Sequence, residues 1–380
     1  MIKFLVILQF LLCLSLSAKA QDEPGDIVIG QVRTLKSEIL NETRTLKIWL
    51  PESYPESGDT YPVLYLLDAE MSMRFAKAAA TVAEFGGEGA PEMIVVGIEN
   101  TDRNRDMFPG KDGSKSGADD FLKFLTGELF PFIEARFRTT NYRILTGQSN
   151  SALFVSYALL KQPESFNAYF AISPMLGSRE QEMLDLAKRS FTDFPQRKTF
   201  LYIEYGENDF GRVVDAVPAF MEVLEKANPA ALTYRVDVLP GEGHVPYTCY
   251  RDALLALFPD FRIRKEDLAQ GPGYIDEHYR ELTRRYGFSI ETPAEPMLEY
   301  GKLMMDQQDH EKAIEAFKLA SVRYPDNVSA HYRLARAYEA DGKLPEALAA
   351  YKRVLEAYPQ STTTRVKISE LEKQSRHPSR

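Results

Sequence analysis

The segment Tyr142–Lys161, YRILTGQSNSALFVSYALLK, joins a short apolar run to a longer one through a turn of small and polar residues. Tyr142–Thr146 reads as a buried strand and Ala152–Lys161 as a helix, with Gly147-Gln148-Ser149-Asn150-Ser151 between them. A strand, a sharp turn and a helix are the setting of a nucleophile elbow, in which a strained turn lifts a serine hydroxyl above the end of a sheet. Here that serine is Ser149. Residues two positions either side must be small, because the strand and helix backbones nearly touch. Gly147 meets that demand, and Ser151 stands where a second glycine is usual. Taken alone, the same residues are compatible with a serine that simply caps a helix.

Outward from the elbow the pattern alternates. Ile27–Lys36, Thr45–Leu50, Tyr61–Leu67, Met93–Ile98, Ala168–Ile172, Thr199–Tyr205 and Thr233–Leu239 read as strands. Met71–Phe85, Gly117–Phe137, Gln181–Ser190, Val213–Lys226 and Tyr247–Phe258 read as helices between them. Short apolar strands alternating with amphipathic helices predict an α/β domain around a mostly parallel sheet. Ligands then belong at the C-terminal ends of the strands.

A serine nucleophile needs a base, and the chain has five histidines. Only His244 falls in the alternating segment, in the glycine-rich loop Leu239-Pro240-Gly241-Glu242-Gly243-His244. The acid should lie between serine and histidine in the chain. Strand Thr199–Tyr205 ends in Gly206-Glu207-Asn208-Asp209, which offers Asp209 and, as its rival, Glu207. Backbone N–H groups of Asn150 and of Asp68 or Ala69 are the expected oxyanion donors. Arg103 and Arg105 could attract an anionic substrate or pair internally with nearby aspartates. Met71, Met73, Phe75, Met107 and Phe108 could line an acyl pocket or belong to the core.

The rest of the chain frames this segment. Its 380 residues carry a formal charge of −9, with 44% hydrophobic residues, two cysteines and no long basic run. Such a chain can bury a full core and is ill suited to nucleic acid. Lys3, the apolar stretch Phe4–Leu16 and Ala18-Lys19-Ala20 predict a secretory signal peptide cleaved after Ala20. The apolar stretch is shorter than the roughly 20 residues of a membrane span. Cleavage would remove Lys3, Lys19 and Cys13, taking the charge from −9 to −11 and leaving Cys249 as the sole thiol. A periplasmic or secreted location follows. At the other end, Gly301, Ala313, Phe317, Ala320 and Pro325 recur as Ala335, Ala347, Tyr351, Val354 and Pro359 after 34 residues. This is the tetratricopeptide period. The expected organisation is a leader (1–20), an α/β domain (21–264), a helical connector (265–293) and a repeat region (294–380). That region holds repeats at 294–327 and 328–361 and a capping helix over Thr362–Gln374.

The stretches YPVLYLLDAE, PEMIVVGIENTDRNRDMFP, RILTGQSNSALFVSYALLKQPESFNAYFAISPML, YIEYGEND and PGEGHVPY, in this order, resemble the Putative esterase family of α/β-hydrolases, the group related to esterase D. Members with a C-terminal tetratricopeptide extension are known. The resemblance spans roughly residues 27–260 and implies an α/β-hydrolase fold. It also implies a serine esterase with Ser149 as nucleophile, His244 as base and an acid in Gly206–Asp209. Ser151 departs from the family's glycine, and Ser173-Pro174-Met175-Leu176 lacks the aromatic residues that often follow the Ser-Pro. The expected substrate is a small carboxylic ester, with a siderophore lactone or a carbohydrate-linked feruloyl or acetyl ester as candidates. Neither metal nor organic cofactor is expected. The repeats could bind a protein partner or self-associate, and a non-catalytic interaction protein is the contrasting alternative.

Overall fold

The computed structural model describes residues 28–71, 73–111 and 114–376; the expected signal peptide and His377 lie outside them. Eight strands form one sheet: β1 (Gln31–Ser37), β2 (Glu42–Trp49), β3 (Tyr61–Leu67), β4 (Ile94–Ile98), β5 (Thr139–Gln148), β6 (Ala168–Ile172), β7 (Thr199–Gly206) and β8 (Leu232–Leu239). Their order is β1-β2-β4-β3-β5-β6-β7-β8. β1 and β2 pair antiparallel and β2 meets β4 antiparallel, whereas β4 through β8 are all parallel. β3, β4 and β6 are buried along their whole length. Continuous apolar runs suit strands covered on both faces.

Helices Arg74–Phe85 and Cys249–Leu257 cover one face of the sheet. Helices Gly117–Phe124, Asn150–Lys161, Glu180–Thr192 and Ala216–Ala227 cover the other. The architecture is that of an α/β-hydrolase. Several helices differ from the sequence expectation; Val213–Lys226, for one, is interrupted at Asp215 and becomes Gly211–Val214 and Ala216–Ala227. Gly117–Phe137 divides into Gly117–Phe124, a wider π-type turn at Leu125–Leu129 and a short helix Phe130–Glu134. Pro131 lies at the start of the last piece and has no N–H to continue the ladder, which favours such a break. The helix expected from Met71 begins at Arg74, because Met73 adopts φ 59°.

The repeat region is helical throughout: Ala294–Asp306, His310–Arg323, Val328–Ala340, Leu344–Ala357 and Thr362–Arg376. Small residues at the helix crossings allow close approach, with Gly301 against the Phe317 ring and Ala335 as buried as Tyr351. The connecting helix Pro272–Tyr286 joins this region to the sheet. Rings of Tyr286 and Phe288 pack on Tyr142 at 6.0 and 5.1 Å, and Arg323 holds Asp276 through two hydrogen bonds of 2.6 and 2.7 Å. Tyr142 lies near the start of β5 and Ser149 just past its end, about 23 Å away at roughly 3.3 Å per residue. The connector is therefore seated at the end of the sheet opposite the elbow.

Candidate active site

Along the parallel strands Gln148 pairs with Ile172, and Ile172 pairs with Glu204. The loops that follow β5, β6 and β7 therefore emerge side by side. Ser149 leaves β5 at φ 64°, ψ −121°, and its carbonyl opens the helix Asn150–Lys161. A Cβ on Gly147 would lie 2.6 Å from the Ser151 carbonyl oxygen, so only glycine fits this crossing. The Ser149 N–H donates to the Ile172 carbonyl at 2.9 Å, which fixes the turn to the end of β6.

The histidine loop crosses the tip of β7. A Cβ on Gly206 would run into the carbonyl oxygens of both Glu242 and Gly243. That close approach brings His244 Nδ1 to 2.6 Å from Asp209 Oδ1. The Asp209 side chain is fully buried, and the same oxygen accepts the Phe210 N–H at 2.7 Å. Glu207 is occupied otherwise: its carboxylate accepts the Gly241 N–H at 3.0 Å and pins the loop after β8. The structure thus pairs His244 with Asp209 and leaves Glu207 as a loop anchor. Ser173 ties the serine and histidine loops together. It follows Ile172, its N–H donates to the Glu204 carbonyl at 2.7 Å, and its Oγ accepts the Val245 N–H at 2.9 Å.

Eight non-glycine residues have positive φ among the described residues, and five of them, Asp68, Met73, Ser149, Ser173 and Val245, lie in the loops at this end of the sheet. Left-handed backbone at side-chain-bearing residues is strained and concentrates at functional sites.

Asp68, whose N–H has no backbone acceptor among the described residues, carries a side chain with a part of its own. Its carboxylate is buried and accepts from Arg103 at 2.9 and 2.8 Å, Arg74 at 2.5 Å, Asn100 at 2.7 Å and Ser151 Oγ at 2.8 Å. Burial pushes this carboxyl up, but the Arg103 hydrogen bond and charge, Asn100 and Arg74 outweigh it and hold it below the usual carboxylate range. The backbone expectation for Ala69 is corrected. Its N–H already donates to the Ile98 carbonyl at 3.1 Å. Glu70, next in the turn, keeps an N–H with no backbone acceptor among the described residues, as does Asn150 in the first turn of its helix.

Arg103 and Arg105, read above either as anchors for an anionic substrate or as internal partners of nearby aspartates, are both held by carboxylates. Arg103 grips Asp68, and Arg105 binds Glu42 at 3.1 and 2.9 Å and Asp106 at 2.7 Å. Met107 and Phe75 are buried in the two cores. Phe108 packs on the core beneath the Arg179 guanidinium, and the Met71 N–H closes a turn on the Asp68 carbonyl at 3.0 Å. The sequence reading missed Ser173, the Asp68 carboxylate, the Glu70 N–H and the exposed rings of Phe210 and Tyr247. The DAE triplet after β3 was the available signal for Asp68 and Glu70; nothing local marks the two rings.

No helix among the described residues is long and apolar enough to cross a membrane, and none of their His, Cys, Asp and Glu side chains group as a metal site. A tetratricopeptide repeat model matches residues 299–362. The chain is 27% identical over 262 residues to the ferri-bacillibactin esterase BesA of Bacillus subtilis, covering 60% of this chain and 90% of that protein. It is 30% identical over 165 residues to a siderophore enterobactin esterase of Emericella nidulans, covering 36% of this chain and about half (54%) of that protein. The crystal structure of an IroE-like serine hydrolase from Shewanella oneidensis superposes with a TM-score of 0.64 at 28% identity, covering 77% of this chain and 99% of that one. The model of the Putative esterase family matches residues 37–245, more than half of the chain, and the protein accordingly belongs to that family and is a carboxylic ester hydrolase.

Proposed function

We propose that the protein cleaves its ester through an acyl-enzyme formed on Ser149, with His244 as general base and Asp209 as the acid that orients it. The observation that carries this reading is the 2.6 Å contact between His244 Nδ1 and the buried Asp209 carboxylate. With Nδ1–H held there, Nε2 is the nitrogen left to take the Ser149 proton. The Ser149 oxygen then bonds to the substrate carbonyl carbon. The tetrahedral oxyanion is received by the N–H groups of Asn150 and Glu70, which have no backbone acceptor among the described residues. On collapse the alcohol departs with the proton from His244. A water, deprotonated by the same imidazole, releases the acid and restores Ser149.

The substrate we favour is a siderophore lactone, supported by the similarity to two siderophore esterases. We assign residues 294–380 to a partner-binding or self-association role remote from the chemistry, because the connector sits at the far end of β5. The N-terminal leader assigns the protein to the periplasm or the exterior. Hydrolysis of p-nitrophenyl butyrate and of a ferric catecholate trilactone by wild type, Ser149→Ala and His244→Ala tests the reading. Loss of both activities in both variants is expected, and turnover surviving in either would overturn the assignment.

A further inference from the structure

Four exposed aromatic side chains stand out among the described residues: Phe210, Tyr234, Tyr247 and Tyr358. One of them packs on His244, and another follows it in the same loop. The Phe210 ring packs on the imidazole with centroids 4.6 Å apart and is 57% exposed. Tyr247, three residues beyond His244, is 79% exposed, and Lys77 Nζ sits 4.1 Å from its ring centre. Scattered exposed rings need no explanation, but an exposed ring packed on the candidate base, with a second one three residues along the same loop, does.

The segments that carry the two rings are anchored. The Phe210 N–H is fixed to Asp209 Oδ1 at 2.7 Å. Lys77, whose ammonium meets the Tyr247 ring, belongs to the helix that Arg74 ties to Asp68. Between His244 and Tyr247, Val245 takes φ 61°, which is costly for a β-branched residue, and Ser173 Oγ secures its N–H. This turn keeps the imidazole on Asp209 while the next aromatic ring faces solvent. Met73, also at positive φ and 71% exposed, starts the segment that carries Lys77.

We infer that Phe210 and Tyr247 determine which ester is accepted, by giving an aryl group on the substrate two preorganised faces beside His244. The inference rests on the serine-hydrolase reading for where the ester carbonyl sits. A flat ring against Phe210 or Tyr247 covers apolar surface with little ordering of the protein, whereas an acetyl group reaches neither. The Lys77 ammonium behind Tyr247 suits an electron-rich or anionic ring.

Three measurements test this. First, the ratio of kcat/KM for p-nitrophenyl benzoate to that for p-nitrophenyl acetate is compared in wild type, Phe210→Ala, Tyr247→Ala and the double variant. Second, Phe210→Tyr and Tyr247→Phe serve as conservative controls. Third, 2-naphthoate binding is followed by its fluorescence, which needs no turnover. The expected result is a ratio at least about fivefold lower in each alanine variant and lower still in the double variant, with naphthoate affinity weakened in parallel. The conservative variants should retain both. An unchanged ratio with unchanged naphthoate affinity overturns the inference, as does failure of wild type to bind naphthoate. If wild type hydrolyses neither ester, the hydrolase reading fails, and the naphthoate titration still decides whether the rings form a binding surface.

Discussion

Ser151 Oγ lies 2.8 Å from Asp68 Oδ2 and also accepts the Gln148 N–H at 2.8 Å. The hydroxyl occupying the usual glycine position of the elbow therefore joins the serine turn to the turn after β3. Those two turns carry the N–H groups assigned to the oxyanion. Ser151→Ala should lower unfolding free energy by about 2 kcal/mol, since it leaves the buried Gln148 N–H unpaired and removes a donor from a buried carboxylate. Urea denaturation measures this, and a midpoint equal to wild type would contradict it.

Asp209 and Glu207 occupy one turn but separate by function. Asp209→Asn places an amide against His244 Nδ1 and should lower kcat by about three to four orders of magnitude. Glu207→Gln still accepts the Gly241 N–H and should stay within about threefold of wild type. Steady-state kinetics on one chromogenic ester decides between them, and the reverse ranking would make Glu207 the acid.

Gly206→Ala forces a methyl into the Glu242 and Gly243 carbonyls. The loop carrying His244 must move away, so kcat should fall steeply and stability should drop by about 1–3 kcal/mol. Both readouts come from one purified variant, and wild-type kcat in Gly206→Ala would show that the crossing is looser than described.

Glu204, on β7 beneath the site, is fully buried, and its carboxyl is pushed up to about 7. Burial is the main cause, Asp252 and Asp237 add to it, and the Tyr202 hydroxyl, 2.6 Å away, and the Lys77 charge oppose it. The folded state thus binds the proton more tightly than the unfolded state, where the value is near 4.5. The stability this confers is complete below about 4.5 and is lost as pH rises through about 7, a total of about 3 kcal/mol. Glu204→Gln removes the dependence. Relative to wild type it should gain on the order of 3 kcal/mol between pH 4 and pH 8.5, read from denaturation midpoints; a constant difference would contradict this.

Much of the fold is legible in the chain because buried parallel strands are short, continuously apolar runs, and YPVLYLL and AYFAI, rich in aliphatic and aromatic residues, are buried over their whole length. The elbow is legible for a related reason: the Gly147 crossing tolerates one residue type. What stayed hidden depends on partners distant in sequence. Arg103 and Asp68 are 35 residues apart, so pairing with an aspartate was legible as a possibility but the identity of the partner was not. The Ala69 N–H was assigned by position in the turn, but its partner Ile98 is set by the register between β3 and β4. The break at Leu125–Leu129 reflects a backbone choice around Pro131 that apolar periodicity alone passes over.

The central claim is that Ser149 is a nucleophile activated by the His244–Asp209 pair. Its most direct test is covalent labelling of the purified protein with a fluorophosphonate, followed by intact mass and peptide mapping. The account predicts one adduct per chain, on Ser149, formed rapidly in wild type, strongly slowed in His244→Ala and absent in Ser149→Ala. Folded wild-type protein that takes up no label, or takes it up at another residue, would contradict it.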